Sequence, residues 1–295
     1  MSLLKKGDKV AFVAPSSFVK KEKLKASEEF LRKLGLDVVY AKNIEHEYRY
    51  MAGSDRERAE NINEMFADKT IKALICVRGG GGSSRILPYL DYKLIKANPK
   101  PIIGLSDSTS VQNAVEARSG NVCLTGYLGA YYPEENNLKS KTGKSLKAAL
   151  FDDKHEIKNG KCLIEGCGTG EIVGGNLTCL TYLCGTKYFP SLKDKILLLE
   201  DVGEKTFHID QKLNQIKQQK DFNKLKGIII GQFSDSVVVD EEDGTFADCL
   251  RDFTEGLNIP VIVDFDYGHV KQREIIPLGK KVEVVSSAKK CLVKW

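Results

Sequence analysis

The 295-residue chain contains no apolar run of transmembrane length, and its opening stretch, MSLLKKGDKVAFVAP, has no apolar core of signal length ahead of its first charges. Both absences lead us to expect a cytoplasmic protein without membrane association. No histidine pair stands at metal-ligand spacing, and neither Cys162/Cys167 nor Cys179/Cys184 forms C-x-x-C. The eight cysteines are therefore read as reduced thiols in mostly apolar surroundings, with no metal site expected. No block of a single charge interrupts the mixture of 45 basic and 40 acidic residues, net +5. No basic run interleaves with aromatics, so a nucleic-acid partner is not expected. Neither G-x-x-x-x-G-K-[ST] nor a G-x-G-x-x-G in the first strand–helix turn is found, and no repeat or low-complexity tract is visible.

What is present is an ordinary globular composition, 42% hydrophobic, on a chain long enough for one large domain or two of usual size. Short apolar runs at residues 10–14, 36–40, 71–77, 101–104 and 121–124 read as buried strands. Helical patterns separate them: Leu24, Phe30, Leu31 and Leu34 precede Gly35, and a Ser54/Glu57 capping box precedes Ile62, Met65 and Phe66. This alternation predicts an α/β domain over residues 1–131, a parallel sheet with helices on both faces. Residues 132–161 are polar and poor in strand signals, which marks them as a linker. A second α/β domain, richer in strand, is expected over 162–295. Its strands fall at 171–173, 196–200, 227–230, 259–265, 281–285 and 290–294, and its helices at 177–184, 208–217 and 246–256.

Ligands of parallel sheets bind beyond the carboxyl ends of the strands, so the chemistry is sought there. In KPIIGLSDSTS an apolar strand runs into Gly104, and a helix begins near Ser108. A serine at such a turn, here Ser106, presents its hydroxyl above the sheet, and the Asp107 N–H points where an oxyanion would form. The competing reading is that Ser106 or Asp107 caps the helix. In VRGGGGSSR, four glycines after a strand allow close backbone approach to a ligand. They could cradle a phosphate or supply a second oxyanion N–H from Gly80 or Gly81, with Arg78 or Arg85 holding a carboxylate; they could also be only a loop. KILLLEDVGE ends an apolar strand on Glu200-Asp201, where a carboxylate can orient an imidazole, although Asp201 or Glu204 could equally cap loops. His269 follows another apolar strand and a glycine, where a general base would be expected. His46 and His155 lie in polar segments, and His208 begins a helical pattern. Together these strand ends supply a nucleophile, oxyanion donors, a carboxylate and a base.

Five stretches in order, VAFVAPSS, VRGGGGSSRILPYLDY, NPKPIIGLSDSTS, GGNLTCLTYLCGT with LLLEDVGE, and DFDYGHV with IPLG, resemble the LD-carboxypeptidases. This is the S66 serine peptidase family, which also holds the microcin C immunity peptidases. The resemblance implies a flavodoxin-like N-terminal domain and a smaller, β-rich, swivelling C-terminal domain. It implies a catalytic triad of Ser106, Glu200 and His269, with no metal or cofactor, in a homodimer. Asp107 and Gly80 are then expected to form the oxyanion hole, and Arg78 or Arg85 to meet a substrate carboxylate. The implied reaction hydrolyses the amide between an L-centre and a terminal D-amino acid, releasing D-alanine from a muropeptide tetrapeptide in cell-wall recycling. The alternatives are an immunity-type peptidase cleaving an aminoacyl-nucleotide amide, and a non-catalytic phosphate- or sugar-binding protein. The chain departs from many members at Gly81, where they carry an aromatic, at Leu105, where they carry tyrosine, and at His208, where they carry arginine.

Overall fold

The computed structural model describes residues 3–238 and 244–295. The chain divides into two compact units, Met1–His155 with Lys271–Gly279, and Glu156–Val270 with Lys280–Trp295.

In the first unit the chain runs β1 (Lys9–Val13), α1 (Lys25–Lys33), β2 (Asp37–Tyr40), α2 (Asp55–Ala67), β3 (Ile71–Cys76), α3 (Ser83–Ile86), α4 (Tyr92–Ala97), β4 (Ile102–Gly104), α5 (Ser108–Ser119), β5 (Cys123–Thr125) and α6 (Lys141–Phe151). β1 to β5 are parallel in the order β5-β4-β3-β1-β2, the flavodoxin-like arrangement. Val10–Val13 and the Leu74, Ile75, Ile102 and Ile103 side chains are wholly buried, which is why these strands read as unbroken apolar runs. α2 starts at the anticipated capping box, Glu57 N–H to Ser54 Oγ and Ser54 N–H to Glu57 Oε2, both 3.3 Å.

The second unit contains β6 (Glu156–Ile157), β7 (Lys161–Ile164), β8 (Gly166–Asn176), α7 (Leu177–Thr181), β9 (Lys195–Val202), α8 (Thr206–Lys217), β10 (Gly227–Ser234), α9 (Phe246–Thr254) and β11 (Val261–Val263). After β12 (Ile276–Leu278), which belongs to the first unit, come β13 (Lys281–Ser287) and β14 (Lys290–Lys294). The strands form one mixed sheet, β6-β14-β13-β8-β9-β10-β11-β7, with β8 to β11 parallel and the flanks antiparallel. Leu197, Leu198, Ile228 and Ile229 are fully buried in its central strands, as are Ile209 and Ile216 on α8. At Gly174 a Cβ would fall 2.1 Å from the Leu198 carbonyl oxygen, so that β8 position has no room for a side chain against β9.

Two expectations are corrected. Residues 132–161 are not a linker: most of them belong to the first unit, and they include α6. That helix is capped by Ser140, whose Oγ accepts from the Gly143 N–H at 2.9 Å, and it buries Leu146, Ala149 and Leu150. Its apolar stripe is one turn wide, short enough to hide among the polar residues around it. Residues 271–279 likewise return to the first unit, where β12 pairs antiparallel with β5 at the sheet edge. Pro277 is tolerated there because an edge strand can spare an N–H. The returning segment is held by a buried ion pair, Arg273 Nη1 to Glu135 Oε2 at 3.1 Å. Its backbone is held too, by bonds from the Gln272 N–H to Glu135 Oε1 (2.9 Å) and from the Arg273 N–H to Thr142 Oγ1 (3.0 Å).

All eight cysteines are free. Burial pushes the Cys123 thiol up to about 12, that of an inert core residue; Cys167, by contrast, is exposed rather than packed away. Among the described residues, no helix is long and apolar enough to cross a membrane and no group of three or more His, Cys, Asp or Glu could hold a metal ion.

Candidate active site

The first unit supplies the serine. β4 ends at Gly104, where a Cβ would fall 2.2 Å from Ser108 Oγ, so the chain must turn there without a side chain. Ser106 then adopts φ 65°, in the left-handed region. For an L-residue this costs roughly 1–2 kcal/mol, which the surroundings must offset. They do so with several bonds: the Thr109 N–H donates to the Ser106 carbonyl at 2.9 Å, Ser108 Oγ donates to the Leu105 carbonyl at 2.9 Å, and the Gly126 N–H donates to Gly104 at 2.8 Å. Ser106 is partly exposed while both neighbours are buried.

Asp107 occupies the helix-capping position, yet its side chain makes no cap. Its Oδ2 accepts the Ser83 N–H at 2.8 Å, and Ser83 Oγ donates to the Asp107 carbonyl. The elbow is thereby tied to the start of α3, directly after the glycine-rich loop. A carboxylate of the protein's own takes that N–H, where the phosphate-cradle reading would place an anion.

Within the loop, Gly79 lies against the serine: a Cβ there would come 2.8 Å from Ser106 Cβ and 2.9 Å from its Oγ. Gly80, at φ 99°, packs instead on Ser17, where a Cβ would fall 2.2 Å from Oγ. Of the two candidate arginines, Arg85 is spoken for. Its Nε and Nη2 grip Asp55 at 3.0 and 2.8 Å and hold that carboxyl below its ordinary range. Arg78 is exposed and makes no ion pair among the described residues.

The second unit supplies a carboxylate–imidazole pair. Glu200 stands on β9, wholly buried, and its Oε2 meets His269 Nδ1 at 2.8 Å. The other oxygen accepts from Asn176 Nδ2 at 3.1 Å, so both carboxylate oxygens are engaged. Asn176 closes β8, bonds Asp201 Oδ1 at 2.9 Å with the same amide group, and caps α7 by accepting the Cys179 N–H at 3.0 Å. Asp201 is in turn bound by the Thr178 N–H and hydroxyl, at 3.0 and 2.7 Å. Of the two adjacent acids, the first therefore faces the imidazole and the second braces the loop.

His269 rides on the segment after β11, strapped to β10 by the Gln232 N–H to the Tyr267 carbonyl at 2.8 Å and the Phe265 N–H to Ile230 at 3.1 Å. Gly268 precedes it at φ 125°, and a Cβ there would lie 2.9 Å from Glu200 Oε2. His208 lies on α8 with its Nδ1 3.4 Å from Glu204 Oε2, part of a surface ion-pair group with Lys212. Asn176 and Gly79 were not singled out by the sequence reading. Asn176 was recoverable in principle, as an asparagine between a strand end and a helix start; Gly79 was one of four glycines in a row.

The first unit thus offers a serine at a strained strand-to-helix turn, and the second a buried carboxylate holding an imidazole. The chain belongs to the LD-carboxypeptidase family: the family's N-terminal domain matches residues 10–126 and its C-terminal domain residues 169–284. It is 32% identical over 98% of its length to a probable murein peptide carboxypeptidase of Bacillus subtilis, covering 92% of that protein. Among solved structures it is similar to an MccF-like protein from Bacillus anthracis, with TM-score 0.88, 30% identity, and 99% of this chain and 97% of that one covered. It is also similar to the muramoyltetrapeptide carboxypeptidase of Oxalobacter formigenes, with TM-score 0.88, 25% identity, and coverage of 97% and 98%. The chain is thus a carboxypeptidase of two α/β domains.

Proposed function

We propose that this carboxypeptidase is a Ser106–His269–Glu200 hydrolase that removes a terminal D-amino acid from an L-centre, releasing D-alanine from muropeptide tetrapeptides. The observation that carries the proposal is the Glu200–His269 pair: a fully buried carboxylate 2.8 Å from Nδ1 fixes that nitrogen as the N–H and leaves Nε2 as the base. In the reaction Nε2 takes the Ser106 proton as Oγ attacks the carbonyl carbon. The Asp107 N–H and a loop glycine N–H, for which we choose Gly80, receive the oxyanion. The imidazolium, stabilised by Glu200, then protonates the departing amine, and water, activated by the same histidine, hydrolyses the acyl-enzyme. Arg78 is our choice for the substrate carboxylate, since Arg85 is committed to Asp55. The setting we infer is cytoplasmic cell-wall recycling by a homodimer.

The test is incubation of the purified protein with tetrapeptides carrying L-lysine or meso-diaminopimelate before D-alanine. Release of D-alanine that is abolished by Ser106→Ala is expected. Release that survives Ser106→Ala would sink the nucleophile. Cleavage of an aminoacyl-nucleotide amide with no action on either peptide would replace the substrate.

A further inference from the structure

An exposed aromatic lies beside the glycine-rich loop of the nucleophile's own unit. Tyr50 is 55% exposed, and its ring lies beside the glycine-rich loop, where a Cβ on Gly81 would come within 3.4 Å of Tyr50 Cε2. Two residues earlier, Gly79 touches Ser106. Two residues of chain span at most about 7 Å, so one loop carries contacts with the nucleophile and with this ring inside a short peptide's length.

The ring is presented by a built turn, not by a loose loop. Tyr48 and Met51 exchange backbone bonds at 3.0 Å in both directions, and Arg49 between them takes the left-handed φ of 59°. Met51 and Ala52 are buried beneath, and the Ala52 N–H donates to the Ser16 carbonyl at 2.9 Å. Arg58, wholly buried, joins the parts: its guanidinium donates to the Gly82 carbonyl at 2.8 Å and pairs with Asp55 at 2.6 Å, the same carboxylate that holds Arg85. A buried frame that leaves a large ring in water gains nothing from the ring by way of core packing. Exposed aromatics on rigid supports are what binding surfaces use, because a ring brings wide contact area at small cost in side-chain entropy.

We propose that Tyr50 is a specificity-determining residue that stacks on the part of the substrate flanking the reacting amide. This rests on the peptidase reading above. The role is one of uniform binding: a stacking contact made equally in ground state and transition state shows in KM and not in kcat.

The experiment compares wild type, Tyr50→Ala and Tyr50→Phe on a full muramoyl-tetrapeptide and on a short acylated L-Lys-D-Ala substrate that lacks the flanking residues. Tyr50→Ala should raise KM for the long substrate about tenfold with kcat within about twofold, and leave the short substrate unchanged. Tyr50→Phe should match wild type, since the ring face and not the hydroxyl makes the contact. An unchanged KM on the long substrate, or an equal loss on both substrates, overturns the role of Tyr50 alone. Failure of wild type to release D-alanine from the long substrate overturns the peptidase reading and this inference with it.

Discussion

The two units hold their candidate reactive side chains by different means. In the first, Ser106 is held by its backbone: a left-handed φ of 65°, a glycine before the turn, and main-chain bonds on each side. In the second, His269 is held by a side-chain network: Glu200 on its Nδ1, Asn176 on Glu200, and Asp201 and Thr178 behind Asn176. The difference matches the roles proposed for the two groups. A nucleophile needs one oxygen at one point, which a rigid turn provides. A base must also keep one tautomer and bear a transient positive charge, which only a charged, hydrogen-bonded partner provides.

The largest effect should come from the network. Glu200→Gln keeps the shape but sets its amide NH2 against one of two donors, the His269 Nδ1–H or the Asn176 Nδ2–H, and it removes the charge that stabilises the imidazolium. We expect kcat to fall by about 10³–10⁴ with KM changed little, measured by D-alanine release. A fall of less than about tenfold would mean that the pair is structural. Next come two glycines, one per unit. Gly79→Ala drives a methyl into Ser106, and Gly268→Ala drives one toward Glu200 Oε2. Each should cost kcat on the order of 10²-fold, the usual penalty for a misplacement of about 1 Å. Stability should separate them. Gly268 has φ 125°, so alanine there adds backbone strain to its clash and the melting temperature should drop further than for Gly79→Ala, whose backbone has no such φ. Equal melting shifts would break the contrast between the units.

The elements that made candidate residues legible in sequence were strand ends. Val10–Val13 and Ile102–Gly104 read as strands because buried parallel strands need no polar face, and the residues following such strands are where ligands bind. Ser106, Glu200 and His269 could be singled out on that rule before any contact was known. What stayed hidden depended on long-range pairing. Whether Glu200 or Asp201 faces the histidine is a question of side-chain alternation along β9 and of Asn176 on a neighbouring strand. That Arg85 is consumed by Asp55, 30 positions away, is invisible to any local pattern. The return of residues 271–279 to the first sheet depends on Arg273 meeting Glu135, and α6 shows its apolar stripe only once it has a surface to pack on. Local spacing nominated the candidates, and tertiary partners decided which of them are committed elsewhere, as Arg85 and Asp201 are.

The smallest effect tests the backbone half of the comparison directly. Ser106→Ala and Ser106→Gly both remove the hydroxyl, so both should be inactive, and catalysis says nothing about the turn. Their folding free energies do. Alanine keeps a Cβ at φ 65° and so keeps the left-handed penalty; glycine loses it. Glycine also adds freedom to the unfolded chain, which offsets about 0.4–1 kcal/mol of that gain. The net expectation is that Ser106→Gly is the more stable variant by up to about 1.6 kcal/mol in urea unfolding, with the same m-value. The opposite order would mean that the native turn is not strained in solution and that the serine is held, like the histidine, by its side-chain contacts.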